Sequence, residues 1–392
     1  MSLYRHTVAG AASIRSMRLA TVMASLLLQS RPAAASPSTA SPAASAPSEP
    51  RVRPARWMWK HTSALPIVFY TPENHLGLGA GLLTTWGKAA HADLRPNSVL
   101  LALMHTTLRQ TIFSFATELR LGDERHLIDA ELRYIDWPDR FFGIGNDPRD
   151  GDEEQFTDRY WQSHLNYRLR LWRRWFAGVG YLFRASQTPG IQEDPRLLVP
   201  EVTYGVGPRT WSGVWMGTSW DGRDTTFWPT SGSFMQIEAT AFRPGLGSDF
   251  AATRYRADLR RYIELQDGWI LAPRLRLDAI AGSEEQIPFQ LMAQLGGSDL
   301  FRGWYLGKLR DRRLAAIELE QRVELTPRLG IVGFASIGRV APRWPDMAQG
   351  QLRQAAGIGG RVAIKRALRA NLRLDVAYGD GLHFYLQFKE AF

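Results

Sequence analysis

From Trp57 onward the chain alternates apolar and polar residues in short runs, the two-residue period of a half-exposed β-strand. Ile128, Ala130, Leu132 and Tyr134 oppose Asp129, Glu131 and Arg133, and Leu165, Tyr167, Leu169 and Leu171 oppose His164, Asn166, Arg168 and Arg170. Tyr255, Ala257, Leu259 and Ile263 oppose Arg254, Arg256, Asp258, Arg260 and Glu264, with Arg261 breaking the apolar side. Leu271, Pro273, Leu275 and Leu277 oppose Arg274, Arg276 and Asp278; Leu372, Leu374, Val376 and Tyr378 oppose Asn371, Arg373 and Asp375. A sheet of this kind in water needs a second layer over its apolar face, and no helical segment of suitable length is present to supply one. Closing the sheet on itself solves the problem, with the apolar face in lipid and the charges inside. The pattern therefore predicts an all-β fold, a transmembrane antiparallel β-barrel of about sixteen strands over residues 57–392.

The connections support that reading. Short turns are expected around Gly122-Asp123, Arg173-Arg174, Gln266-Asp267 and Pro327-Arg328. Long loops are expected at about 138–156, 188–198, 283–313 and 342–351. Short turns at the periplasmic end and long loops outside are the usual asymmetry of outer-membrane barrels, so the N-terminus is expected in the periplasm. Gly77, Gly79 and Gly81 share one strand face, where glycine permits curvature or close backbone approach. They are not a phosphate loop, because Leu82 stands at the last glycine position of that motif. The final residues, His383 to Phe392, count back in twos as Phe392, Phe388, Leu386 and Phe384 on one face, with Glu390 the exception. An exposed edge of this kind is a liability in water but suits the closing strand of a barrel whose apolar face meets lipid.

Composition narrows the compartment. The 392-residue chain has no cysteine, which removes disulfide and thiolate chemistry. Its formal charge of +10 is spread along the sequence and not gathered in one tract, which argues against a nucleic-acid patch. Arg15 and Arg18 precede the apolar run from Leu19 to Leu28, and Ala33-Ala34-Ala35 offers a cleavage site, so residues 1–35 read as a secretory signal. Met17 is an alternative start. Residues 36–56, rich in Ser, Pro and Ala, read as a disordered linker.

The longest loop holds Gly296-Gly297-Ser298-Asp299-Leu300-Phe301-Arg302-Gly303-Trp304-Tyr305, and the strand after it carries Glu318, Glu320, Arg322 and Glu324 on its polar face. An Arg302 folded into the lumen meets carboxylates there, and a guanidinium–carboxylate fork fixes a loop in one position. Gly303 permits a tight turn, with Phe301 and Trp304 filling the space beside it. Phe301-Arg302-Gly303-Trp304 resembles the Arg-Gly-aromatic signature of the bacterial surface antigen family, which includes the outer-membrane assembly barrels BamA and TamA. Asp221-Gly222-Arg223-Asp224 with Pro229 and Gly232 is similar to that family's mid-barrel turn. Leu319 to Leu325 resembles its strand after the long loop, and Tyr378-Gly379-Asp380-Gly381 through Phe392 its C-terminal hairpin. Pro66 to Glu73 and the glycine-rich strand after them resemble the start of its compact members.

The resemblance implies a barrel in the bacterial outer membrane that assists insertion or translocation of proteins or lipids. It implies Arg302 as anchor of a loop in the lumen, and Phe384, Phe388 and Phe392 as an insertion and closure signal. Implied partners are outer-membrane lipids and lipopolysaccharide, unfolded outer-membrane protein or lipid clients, and a periplasmic partner. The family's periplasmic POTRA domains have no room in the linker, so a POTRA-less barrel is expected. Ser336 stands where the assembly barrels commonly carry an Asp facing the loop arginine, which leaves Glu320, with Glu318, as the expected anchor. No cofactor, metal or reaction is implied. The eight histidines show no paired metal-ligand spacing, and the acidic run Asp147, Asp150, Asp152, Glu153, Glu154 lacks EF-hand spacing. A passive or gated pore remains the second reading, from the charged lumen. A Ser–His enzyme on a barrel is the third, since such pairs are geometric and not sequential.

Overall fold

A computed structural model describes residues 62–87, 96–149, 151–283, 286–365, 370–388 and 390–392. The expected signal segment, the linker and residues 57–61 lie outside the described residues.

Sixteen strands close into an antiparallel barrel in which each pairs with its sequence neighbours and the first pairs with the last. They are β1 (Thr62–Thr71), β2 (His75–Trp86), β3 (Asn97–Thr106), β4 (Thr111–Leu121), β5 (His126–Phe141), β6 (Glu154–Trp172), β7 (Trp175–Gln187), β8 (Arg209–Asp221), β9 (Gly232–Phe242), β10 (Ala252–Gln266) and β11 (Trp269–Gly282). After a long loop that holds its own two-stranded sheet, β12 (Ala293–Leu295) and β13 (Leu309–Asp311), the barrel resumes. Its last strands are β14 (Arg313–Glu324), β15 (Leu329–Ala341), β16 (Arg353–Lys365), β17 (Ala370–Tyr378) and β18 (Leu382–Phe388).

Alternation sorts the side chains as the sequence pattern predicts. Leu78, Leu103, Leu165, Ile317 and Leu374 are exposed on the outer face, while Arg184, Arg274, Arg322 and Arg373 are fully buried in the interior. A charged residue is buried in such an interior only when paired. The pairing is a lattice across strands: Asp258 accepts from Arg260 and Arg274, and Asp278 from Arg256 and Arg276. Close packing explains part of the glycine-rich β2. A Cβ on Gly77 would sit 2.3 Å from the Phe69 ring, and one on Gly79 would meet the Leu103 carbonyl oxygen at 2.4 Å.

The wall is uneven. β6 runs for 19 residues and β18 for 7. The closing seam is narrow as well. β17 pairs with β18 from Leu372↔Phe388 to Tyr378↔Leu382, whereas β1 meets β18 at one register position, Tyr70↔Leu386.

All four expected short turns are present, between β4 and β5, β6 and β7, β10 and β11, and β14 and β15. The β8–β9 turn is built on Asp224, which accepts the N–H groups of Thr230 and Ser231. There Gly232 (φ +100°) lies so close to the Gly222 carbonyl that a Cβ would fall 2.2 Å from its oxygen. Two loops differ from expectation: β5 and β6 extend into the expected 138–156 loop and leave 142–153, and the segment after β7 runs from 188 to 208 and not to 198. Its extension is structured by burial, since Leu198 and Val206 pack with Phe141, Phe156 and Phe289 over the long-loop mouth. Glu154, read as part of an acidic loop, accepts the backbone N–H groups of Arg196, Leu197 and Leu198 at 2.7, 2.8 and 2.8 Å and so ties that loop down.

The C-terminal residues depart from the simple two-residue count. Phe384 is 47% exposed on the outer face, as alternation requires, and Phe388 is half-buried on the same face. Phe392 is buried inside the barrel with Tyr262, Ala272 and Ala391. The strand ends at Phe388, and the last residues turn inward because the lumen satisfies them. Glu390 pairs with Arg361 at 2.6 Å and accepts from Asn371, while Arg322 donates to the Phe392 carbonyl oxygen at 2.9 Å. Phe392 is thus a lumen residue and not part of the lipid-facing row.

Candidate functional site: the loop anchor in the lumen

The segment between β11 and β14 folds down into the lumen, and its lowest stretch, Ser298–Trp304, is buried throughout. Arg302 is at its centre with no solvent exposure. One Nη donates to Asp375 at 2.7 Å, the other donates to Glu320, and the guanidinium lies 3.5 Å from the centroid of the Phe334 ring. Burial works against the charged form of Arg302, but Glu320 and then Asp375 outweigh it and hold its pKa above the ordinary value. Both carboxylates have further partners: Glu320 accepts from Arg322 at 2.9 Å, and Asp375 from Arg361 at 2.5 Å.

Expectation and structure differ in who pairs with Arg302. Glu320 is a partner, as the polar face of its strand implied. Glu318 is not; it accepts the Phe301 N–H at 2.9 Å and pairs with Arg274 at 3.1 Å. Glu318 holds the backbone of the motif and Glu320 its charge. The second carboxylate on Arg302 is Asp375 of β17, which the sequence placed on a lumen face without linking it to the loop. Ser336 supplies nothing here, its Oγ being buried with no hydrogen-bond partner among the described residues.

Backbone geometry makes the motif specific. Phe301 adopts a left-handed φ of +66°, a conformation costly for a residue with a Cβ. It is held there by the Glu318 bond and by complete burial among Leu295, Leu300, Leu309, Leu314 and Val340. Gly303 follows at φ +104°, and a Cβ there would fall 2.8 Å from the Tyr378 carbonyl carbon. Its N–H donates to the Tyr385 hydroxyl at 3.0 Å, and its carbonyl accepts the Asp380 N–H at 2.9 Å. Trp304 donates through its indole N–H to the Gln354 carbonyl at 2.9 Å. Next to the motif, Arg373 donates to the Ser298 carbonyl at 2.9 Å and Arg274 to that of Asp299 at 2.6 Å.

The loop also reaches the other side of the seam. The Leu306 N–H donates to Glu73 Oε1 at 3.0 Å, in the connection between β1 and β2. Glu73 is 2% exposed, and burial raises its pKa; the Leu306 bond works the other way without reversing the shift. Tyr305 donates to Asp139 at 2.9 Å, and Lys308 pairs with Asp380 at 3.0 Å. One loop therefore holds both strands that close the barrel: β18 through Tyr385 and the turn before it, β1 through Glu73. Among the described residues no group of three or more His, Asp or Glu side chains is placed to hold a metal.

The closed sixteen-strand barrel agrees with the family comparison. The model described as the Omp85 superfamily domain matches residues 153–388. The chain belongs to the Omp85 superfamily. Solved Omp85-like barrels share its architecture. BamA from Haemophilus ducreyi lacking POTRA domains 1-3 superposes with a TM-score of 0.61 at 14% identity, covering 84% of this chain and 70% of that one. CdiB from Acinetobacter baumannii gives 0.55 at 13% identity, with 83% and 59% covered, and CdiB from Escherichia coli 0.55 at 11%, with 83% and 62%. This chain thus spans about three fifths of each CdiB chain. Comparison with curated proteins finds no match. The Omp85 fold places the barrel in the bacterial outer membrane, and the described residues hold the barrel and its loops with no POTRA-like region.

Proposed function

We propose that this Omp85 barrel assists the insertion or translocation of proteins or lipids at the outer membrane by opening between β1 and β18. Its short turns and N-terminal side would face the periplasm, with unfolded outer-membrane proteins or lipids as clients. The observation that carries the reading is the seam: two strands meet at one register position, and a buried loop holds both. An opened seam exposes strand edges whose free N–H and C=O groups pair with an incoming strand. The short β18 supports the same reading, because a short wall thins the bilayer beside it. No part of this calls for a cofactor or a bond-making step.

The test is a disulfide across the seam. Tyr70→Cys with Leu386→Cys places two thiols at the paired position of a chain with no other cysteine. Folding of an outer-membrane protein client into liposomes that carry the barrel should stop when the pair is oxidised and resume on reduction. Equal folding rates in the two states would sink the proposal.

A further inference from the structure

At the short-turn end lies a second arginine cluster that the loop anchor does not use. Arg173 and Arg174 form the tight turn between β6 and β7, and Arg261 occupies an outward position of β10 between Leu259 and Ile263. With Trp220, Gly222, Gly232 and Ser233 they line one open cleft of about 350 Å³, and no carboxylate lines it. All three arginines are exposed. Arg261 donates to Ser233 Oγ at 2.7 Å and Arg174 to the Arg223 carbonyl at 3.3 Å, while Arg173 stacks over Trp172 at 4.9 Å. Among the described residues none of the three makes an ion pair, in contrast to the paired arginines of the lumen.

The surroundings fix the depth of this cleft. Trp172 and Trp175 lie 6.5 and 6.0 Å, centroid to centroid, from Trp220, and Leu171 on β6 and Leu265 on β10 are exposed. Tryptophans grouped at a barrel rim mark the level of the lipid headgroups. An outward arginine is tolerated there, and its planar fork fits phosphate oxygens.

We propose that the cleft binds the phosphodiester headgroup of an anionic glycerophospholipid, with Arg173, Arg174 and Arg261 as donors and Trp220 packed against the glycerol. Assignment to the periplasmic leaflet rests on the orientation given under Proposed function; the binding itself does not. The cleft would fix the barrel's depth and rotation relative to that leaflet, on the wall away from the seam.

Native mass spectrometry of the purified full-length chain in detergent tests this, with phosphatidylglycerol and phosphatidylcholine of identical acyl chains as probes. The wild type should retain phosphatidylglycerol at least tenfold more strongly. Each single Arg→Gln change should lower that retention about fivefold, the effect expected of one arginine at an anionic headgroup. The triple change Arg173→Gln, Arg174→Gln, Arg261→Gln should abolish the preference. Arg196→Gln with Arg343→Gln, in long loops on the other rim, should leave it intact. Heat-modified gel migration identifies a triple variant that has not folded, in which case the three single variants decide. Equal retention of the two lipids, or a preference that survives all the changes, overturns the proposal. So does displacement of phosphatidylglycerol by millimolar inorganic phosphate, which would make the cleft a free-anion site, or stronger retention of lipopolysaccharide. Labelling of Arg173→Cys in intact cells tests orientation separately: surface labelling would overturn the leaflet and the periplasmic orientation, but not binding in detergent.

Discussion

Arg302 binds two carboxylates that also answer to other arginines, which sets the cost of removing it. Breaking a buried pair by truncating one partner costs about 3–5 kcal/mol when the other charge is left alone. Here Arg322 and Arg361 remain on Glu320 and Asp375, so Arg302→Ala should fall near the lower end, about 3 kcal/mol. Heating in detergent should show a folded barrel of reduced stability. Arg302→Lys should recover only part of the loss, because one ammonium lacks the fork that spans both carboxylates. Glu73 gives a pH dependence. A carboxyl whose folded pKa is raised favours the fold fully below its unfolded pKa, and that contribution is lost as pH rises through the folded value. The unfolding midpoint of the wild type should therefore fall relative to Glu73→Gln as pH rises from 4 toward neutrality; a constant difference would place the titration elsewhere. Asp139, Tyr305, Tyr385 and His383 are the titratable groups around it. At this scale Glu320 was legible from strand parity beside a loop arginine. Asp375 was not, because it lies 73 residues away, and which lumen residues meet across a barrel depends on the stagger of all the strands between.

Among the elements, the strands and tight turns were open to reading because alternation and turn chemistry are local. The long loops were less so. The stretch 199–208 and the small β12–β13 sheet take their shape from burial against Phe141, Phe156 and Phe289 and from the lumen wall, none of which leaves a short-range signal. Counting in twos failed at Phe392 because it assumes the strand continues, and the strand ends where Arg361 and Arg322 offer the chain a polar destination. The loop itself makes a further prediction. Gly303→Ala retains every charge of the anchor but puts a Cβ against the Tyr378 backbone at a positive φ. It should unseat the loop nearly as much as Arg302→Ala, at about 1–3 kcal/mol for the strained residue, and limited proteolysis within 283–312 should report it. An unchanged digestion pattern would mean that the loop is held without this turn.

For the molecule as a whole, the lumen is filled from both ends. The loop descends from one mouth and Phe392 turns in from the other, with Arg322 donating to the Phe392 carbonyl while pairing with Glu320. The intact protein in a planar bilayer should therefore stay closed, and deletion of 283–312 should produce steady conductance. Conductance from the intact chain would favour the pore over the insertion role. The charged interior, read alone, suits either, and the conductance measurement separates the two. The seam is a whole-molecule property too: sequence placed β1 and β18 at the ends of the chain, but only the closed ring shows that the same loop holds both.

The anchor also has an order along the chain. Arg302 and Glu320 precede the last two strands in the chain, whereas Asp375 and Tyr385 are supplied by β17 and β18. A chain that stopped short of β17 would carry the loop and half of its seat, with the guanidinium committed to a site that is not yet there. Seating of the loop thus depends on strands that lie far along the chain from it, and removal of β17 and β18 should leave the loop open to protease.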